Sequence, residues 1–236
     1  MAIGDIDLKA AMATAEQLGV RAYRLDVTDA DCQDTFIAEV AGDLGPIDIF
    51  VSNAGLMWVG SFADEPRSAT RAQIEVNLLG VINGIKAAAP AMLARGRGHL
   101  ITVASAGSIL PTPGEATYAA TKHGVLGYLK AVRAEMRGSE VGVSVVMPVV
   151  VDTALAAGTS PGAANLLTPG EVARAVVRTA ETRRFAVTVP AYIEPAVRVV
   201  DLLPTPVRDR IYMALVPDQV KSMKSGARRA YEAGFS

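Results

Sequence analysis

Short runs rich in Val and Ile alternate with longer stretches of helical spacing from the first residue to about residue 190, and this alternation constrains the fold most. A strand buried on both faces reads as a nearly continuous apolar run, and a helical crossover between successive strands makes them parallel. The pattern predicts strands at Met1–Gly4, Val20–Leu25, Ile47–Val51, Gly98–Ala104, Val141–Met147 and Phe185–Val189. It predicts helices over Leu8–Leu18, Asp31–Gly42, Ser68–Ala94, Thr117–Arg137 and Pro169–Thr182. Thr168-Pro169-Gly170-Glu171 has a capping Thr, Pro at the first helical position and Glu at the third, a strong helix start. Gly138 is placed to close the helix that begins near Tyr118. Beyond Pro190, the prolines at 195, 204, 206 and 217 cut the chain into short helical pieces that read as a cap on the sheet or on a partner subunit. The expected fold is one α/β domain over residues 1–236, a doubly wound parallel sheet in three layers, with 191–236 as a helical cap.

Composition narrows the function. Half of the residues are hydrophobic but only 5% are aromatic, so the core must be aliphatic. Lys and Arg number 23 against 24 Asp and Glu, which implies no basic face and argues against nucleic acid as a partner. Cys32 is the single cysteine, so neither an intrachain disulfide nor a Cys-cluster metal site is expected, and two scattered histidines, His99 and His123, do not make a metal site. No apolar run reaches the roughly 18 residues that span a bilayer, and the first residues lack a signal-peptide layout. A cytoplasmic location is the expectation.

The strongest chemical signal is Tyr118-Ala119-Ala120-Thr121-Lys122, with Ser105 thirteen residues earlier at the end of an apolar strand. Residues four apart share one helical face, so the Lys ammonium can approach the phenol. A free phenol has a pKa of about 10, and a neighbouring cation lowers it towards what a general acid or base needs. Ser105 lies at the strand edge where open α/β sheets bind ligands, and its hydroxyl is suited to hold an alcohol or polarise a carbonyl. Alone, a Tyr and a Lys at this spacing more often mean a packed ring and a solvated amine.

They do not stand alone. Val51-Ser52-Asn53-Ala54-Gly55 follows a buried strand, Asn77 sits in Ile74-Glu75-Val76-Asn77-Leu78-Leu79-Gly80, Leu25-Asp26-Val27 closes another strand, and Pro148 to Thr153 follow the strand ending at Met147. In this order and spacing the chain resembles the short-chain dehydrogenase/reductase family over nearly its whole length. The resemblance implies Tyr118 as catalytic acid/base and Ser105 as the substrate-orienting hydroxyl. Lys122 would lower the Tyr pKa and hold the nicotinamide ribose, and Asn77 would bend a helix and keep a water in the proton relay. Asn53, Ala54 and Gly55 match the turn beside the cofactor, Asp26 and Val27 the adenine contact, and Pro148, Val151 and Thr153 the nicotinamide side. Asp5 matches the acidic residue that grips the adenosine 2′-hydroxyl, which favours NAD over NADP because a carboxylate repels a 2′-phosphate. The implied activity is hydride transfer between NAD(H) and a secondary alcohol or ketone, an apolar one given the Ala, Gly and Leu in Ala106–Gly114 and Thr153–Leu167, in a homodimer or homotetramer.

Two departures stand out. The family's T-G-x-x-x-G-I-G turn has no match, and the chain begins where the family's second strand would begin. Its first strand, the centre of the family's sheet, and its first helix are therefore expected to be lacking, through a truncated ancestor or a mis-assigned gene start. Leaving two buried strand edges unpaired costs about 1–3 kcal/mol for each unsatisfied group. Val149 replaces the Gly that usually follows Pro148. A catalytically inactive binding or scaffold protein of the same family is thus a rival reading. A serine hydrolase is a remoter one, because Val103-Ala104-Ser105-Ala106-Gly107 is one glycine short of a nucleophile elbow and no acid-then-His order follows it.

Overall fold

The computed structural model describes residues 1–223 and 225–232. All of the expected strands form, within one to two residues of their expected ends: β1 (Ala2–Asp5), β2 (Arg21–Arg24), β3 (Ile49–Ser52), β4 (Gly98–Val103), β5 (Val141–Pro148) and β6 (Ala186–Val189). Each is parallel to its neighbour. The first helix, α1 (Leu8–Leu18), starts where the Asp7 carboxylate accepts the Ala10 N–H and stops at Gly19, whose φ of 65° only glycine adopts without strain. α2 covers Ala30–Leu44 and is capped by Asp29.

The expected helix over Ser68–Ala94 is real but not regular. α3 (Arg67–Ile74) runs through a π-helical turn at Glu75–Leu79 into α4 (Gly80–Ala94). Taken together, Arg67–Ala94 is long and apolar enough by composition to cross a membrane, contrary to the expectation from its sequence. In this fold its Val81, Ile85, Ala88 and Met92 pack into the core instead. α5 spans Ala116–Glu135, and α6 spans Pro169–Thr182 with the expected Thr168–Glu171 capping box formed in both directions. The tail folds as α7 (Ile193–Asp201), α8 (Thr205–Leu215), α9 (Gln219–Ser222) and α10 (Ser225–Glu232). Of the expected cap over 191–236, residue 224 and residues 233–236 lie outside the described residues.

The strands divide into two sheets, β1-β2 and β3-β4-β5-β6. In the larger one the side chains alternate between two helical layers. Leu100, Val143, Val145 and Met147 join Val81, Ile85, Val125 and Leu129 of α4 and α5 in one apolar cluster. His99 and Ser144 point the other way, where the Ser144 hydroxyl donates to the Arg184 carbonyl just after α6. This is the expected three-layer, doubly wound α/β construction with its sheet interrupted. One core still runs across the break: Leu25, Phe36 and Val40 from the first part share a cluster with Phe50 and Val81. β3 is an edge of the larger sheet, and there Ile49 is 49% and Val51 40% exposed.

Candidate active site

The carboxyl ends of the larger sheet open into a cavity of about 960 Å³. Its lining includes Ser105 just past β4, Tyr118 and Lys122 from α5, and Asn53, Ala54 and Gly55 after β3. Pro148 at the end of β5, Val149, Val151 and Thr153 after it, and Asp5 at the end of β1 also lie on its walls. Hydroxyl, phenol and ammonium thus line one cleft. Asn77, Asp26 and Val27 are not among its walls. Asp26 is occupied locally, accepting the Thr28 N–H and hydroxyl, and Val27 packs against Gly80 at the start of α4, where a Cβ would meet it at 2.8 Å.

Asn77 stands one layer behind. It is fully buried in the π-helical turn, where Oδ1 accepts the Leu56 N–H at 2.7 Å and Nδ2 donates to the Leu56 carbonyl at 2.8 Å and to Thr121 Oγ1 at 3.1 Å. The wider turn lets this one amide pin the segment after β3 to α5. A parallel set of bonds fixes the next stretch: Gln73 accepts the Trp58 N–H and donates to Glu65, and the Thr117 hydroxyl donates to the other Glu65 oxygen. Met57 and Val59, held there, close over the Tyr118 ring together with Leu155 and Met223.

This packing governs the acidity of both Tyr118 and Lys122. Burial pushes the Tyr118 phenol well above its ordinary value, partly offset by a hydrogen bond from Ser105, while the carboxyl of Glu115 pushes it further up. Lys122 is buried beside it. Its ammonium lies 5.4 Å from the Tyr118 ring centroid, and burial drives its own pKa down to about 8. Tyr118 is thus held as the neutral acid. The Ser105 hydroxyl also accepts the Gly107 N–H at 3.1 Å, which fixes its rotamer.

The Lys122 ammonium has no hydrogen-bond acceptor among the described residues, an unusual state for a buried charge. Beside it the missing side chain of Gly55 leaves an opening, since a Cβ there would sit 3.6 Å from Lys122 Nζ and 3.5 Å from Asn77 Oδ1. An unpaired cation next to a side-chain-free turn fits a ligand rich in hydroxyl oxygens, such as a ribose. At the far end the Asp5 carboxylate accepts the Asp7 N–H and retains acceptor capacity on the cavity wall.

Residue types alone did not single out three groups that shape the site. Glu115 is 7% exposed on the cavity wall, and burial pushes its carboxyl up to about 7. Arg228 of α10 is fully buried and donates to the carbonyls of Met57, Leu155 and Ala157 and to Glu232. Tyr231 accepts the Met57 N–H through its hydroxyl at 3.2 Å. Through these bonds the last helix is tied across the site. The hydrolase reading fails on geometry: the ring of His99, buried rather than at a strand edge, is bonded to Ser144, and exposed His123 to the Ala119 carbonyl, so neither serves Ser105.

Comparisons with known proteins agree with this geometry. A probable oxidoreductase, EphD of Mycobacterium tuberculosis, is 33% identical over 163 residues, covering 66% of this chain but 28% of its own length. Nodulation protein G of Azospirillum brasilense is 34% identical over 58% of this chain and 57% of its own. The chain therefore spans only about a quarter to a half of these two relatives. A short-chain dehydrogenase/reductase from Burkholderia phymatum, solved with NAD, superimposes with a TM-score of 0.76 over 85% of this chain and 83% of its own at 22% identity. An alcohol dehydrogenase from Thermococcus sibiricus, solved with 5-hydroxy-NADP, gives 0.68 over 79% of this chain and 83% of its own at 26% identity. The family model for short chain dehydrogenases matches residues 2–163, and the chain belongs to that family.

Proposed function

We propose that the protein is an oxidoreductase that interconverts an apolar secondary alcohol and its ketone with NAD(H). The observation that carries this is the convergence of Ser105, Tyr118 and Lys122 on one largely apolar cavity. When bound, the nicotinamide supplies or accepts the hydride. The chain's own residues do the rest. The Ser105 hydroxyl holds the substrate oxygen beside the phenol. In reduction the neutral Tyr118 phenol, favoured by burial, donates its proton to that oxygen and becomes phenolate; in oxidation Tyr118 as phenolate takes the hydroxyl proton. The unpaired Lys122 ammonium binds the ribose hydroxyls next to Gly55, and Asn77, by fixing Leu56, sets the position of that turn. Asp5 at the other end of the cavity disfavours a 2′-phosphate, which supports NAD over NADP.

Tyr118→Phe tests the assignment. Oxidation of a secondary alcohol with NAD should fall at least about a hundredfold while the melting temperature stays near that of the parent protein. Unchanged turnover would end the reading. A second reading, an inactive member of the family that serves as a binding protein, is favoured by the interrupted sheet beside the cofactor end of the cavity. Titration with NADH and NADPH, followed by fluorescence quenching and melting shifts, separates the two. Affinity for both of millimolar or weaker would favour the inactive protein. We further read the chain as cytoplasmic and as a homodimer or homotetramer, a state supported by exposed Ile74, Leu79 and Leu93 along α3 and α4.

A further inference from the structure

Glu115 takes no part in the acid/base machinery, yet it lies within the same cavity. It occupies the position just before α5, where an acidic side chain would normally cap the helix, but it makes no capping bond. Among the described residues its carboxyl has neither a hydrogen-bond partner nor an ion pair. Arg228 is near enough to be felt electrostatically, but its guanidinium is committed to the carbonyls of Met57, Leu155 and Ala157 and to Glu232. The cavity is largely apolar, with Leu110, Leu155, Val172, Val176 and Leu215 among the residues of its wall. An unpartnered carboxyl at 7% exposure is costly to keep, and the space it faces is the substrate's.

We infer that Glu115 is a specificity-determining residue, the acceptor for a hydrogen-bond-donating substituent, hydroxyl or ammonium, close to the carbon that reacts. The inference rests on the oxidoreductase reading for which carbon that is. Glu115 and Tyr118 line the same cavity, and the carboxyl is near enough to the phenol for its charge to act on it. The arrangement also has a consequence for Tyr118. The Glu115 carboxylate opposes ionisation of the phenol, and a donor bound to that carboxylate spreads its charge and relieves the opposition. Substrates with the substituent are then favoured in binding and in the proton step together. The pocket selects against plain alcohols by leaving the carboxyl unpaired when they bind.

Three ligands of one shape make the test: phenylethanol, phenylethanediol and phenylethanolamine, which carry hydrogen, hydroxyl or ammonium at the carbon beside the carbinol. Calorimetric titration of the whole chain should show the diol and the amino alcohol binding at least about tenfold tighter than phenylethanol. Glu115→Leu should erase that preference. Glu115→Gln, nearly the same shape, keeps an acceptor and should retain part of the diol preference while losing that for the ammonium. Equal binding of the three ligands to the parent protein, binding of none, or a preference that survives in Glu115→Leu would overturn the proposal. Oxidation of phenylethanol with NAD reports separately on the reading beneath it. Loss of turnover with the binding preference intact removes the hydride transfer and leaves the subsite.

Discussion

Strand β4 has a hydrogen-bonded neighbour on each side and five of its six residues buried, whereas β1 has one neighbour, β2, and no fully buried residue. The two strands belong to sheets of the same parallel type, and their sequences are similarly apolar. What differs is cover. Parallel strands are stable when both edges are paired and both faces are packed, and β4 meets both conditions between β3 and β5 under α4, α5 and α6. β1 leans on α1, whose buried side chains are only Ala11 and Ala15. Ser105, Tyr118 and Lys122 are placed by the well-covered sheet and its helices, and Asp5, proposed for the far end of a dinucleotide, sits on the thin one. Positioning demands track this division. Proton transfer tolerates displacements of a fraction of an ångström, so Ser105 and Tyr118 need rigid supports.

The contrast is sharpened most by removing equal volumes from the two parts. Leu100, 1% exposed in β4, should cost about 2–5 kcal/mol of unfolding free energy as Leu100→Ala. Leu25, 8% exposed after β2, should cost less as Leu25→Ala because its surroundings can collapse into the space. Denaturant unfolding of both variants decides it. Equal losses would show the two sheets to be one cooperative unit and break the comparison.

The sequence carried the layered fold because apolar runs and cap signals are local. Leu8–Leu18 and Pro169–Thr182 needed only Asp7, Gly19 and the Thr168–Glu171 box to define their ends. The π-helical turn around Asn77 was not legible as geometry, since one extra residue in a turn leaves the apolar spacing of a helix nearly unchanged. Ser105, Tyr118 and Lys122 were legible as a set because their spacing is fixed by one strand end and one helix. The acid strength of Tyr118 was not. It depends on Met57, Val59, Leu155 and Met223, which come from distant segments and decide burial. Glu115 and Arg228 were hidden for the same reason, because charged residues near helix ends ordinarily face water. Gly114, just before Glu115, has a φ of 89° that the sequence does not display.

A smaller effect tests how much strain the well-covered part carries. Folding raises the Glu115 pKa from an ordinary 4.5 to about 7, through burial opposed by the Arg228 cation, with the Tyr118 phenol also close. Between those values the folded chain binds more protons than the unfolded one, so stability falls as pH rises through that window and the loss is complete above it. Glu115→Gln escapes the penalty. The variant should match the parent protein at pH 4 and exceed it by up to about 3 kcal/mol at pH 8, read from denaturant midpoints. A variant less stable at pH 8 would mean that the carboxylate is paired in solution and that its burial is no burden.

The least effect belongs on the thin side. Arg21 in β2 meets Asp43 of α2 at 2.6 Å, and the Tyr23 hydroxyl donates to the same Asp43 oxygen at 2.8 Å. These bonds hold the Asp43 carboxyl below its usual range, so whatever they contribute is present at neutral pH and lost as pH falls through that lowered value. The groups are exposed, however, with 55% of the Arg21 and 46% of the Asp43 side chain open to water. Exposed ion pairs are screened by salt and lose side-chain entropy on forming. Asp43→Asn should therefore shift the denaturant midpoint slightly in low salt and not at all in high salt. A loss that persists in high salt would show that β2 is held to α2 by this cluster more than by the edge contact of Tyr23 with Phe36, whose ring centroids lie 5.8 Å apart. The thin sheet would then depend on polar contacts at its rim, where its counterpart depends on burial.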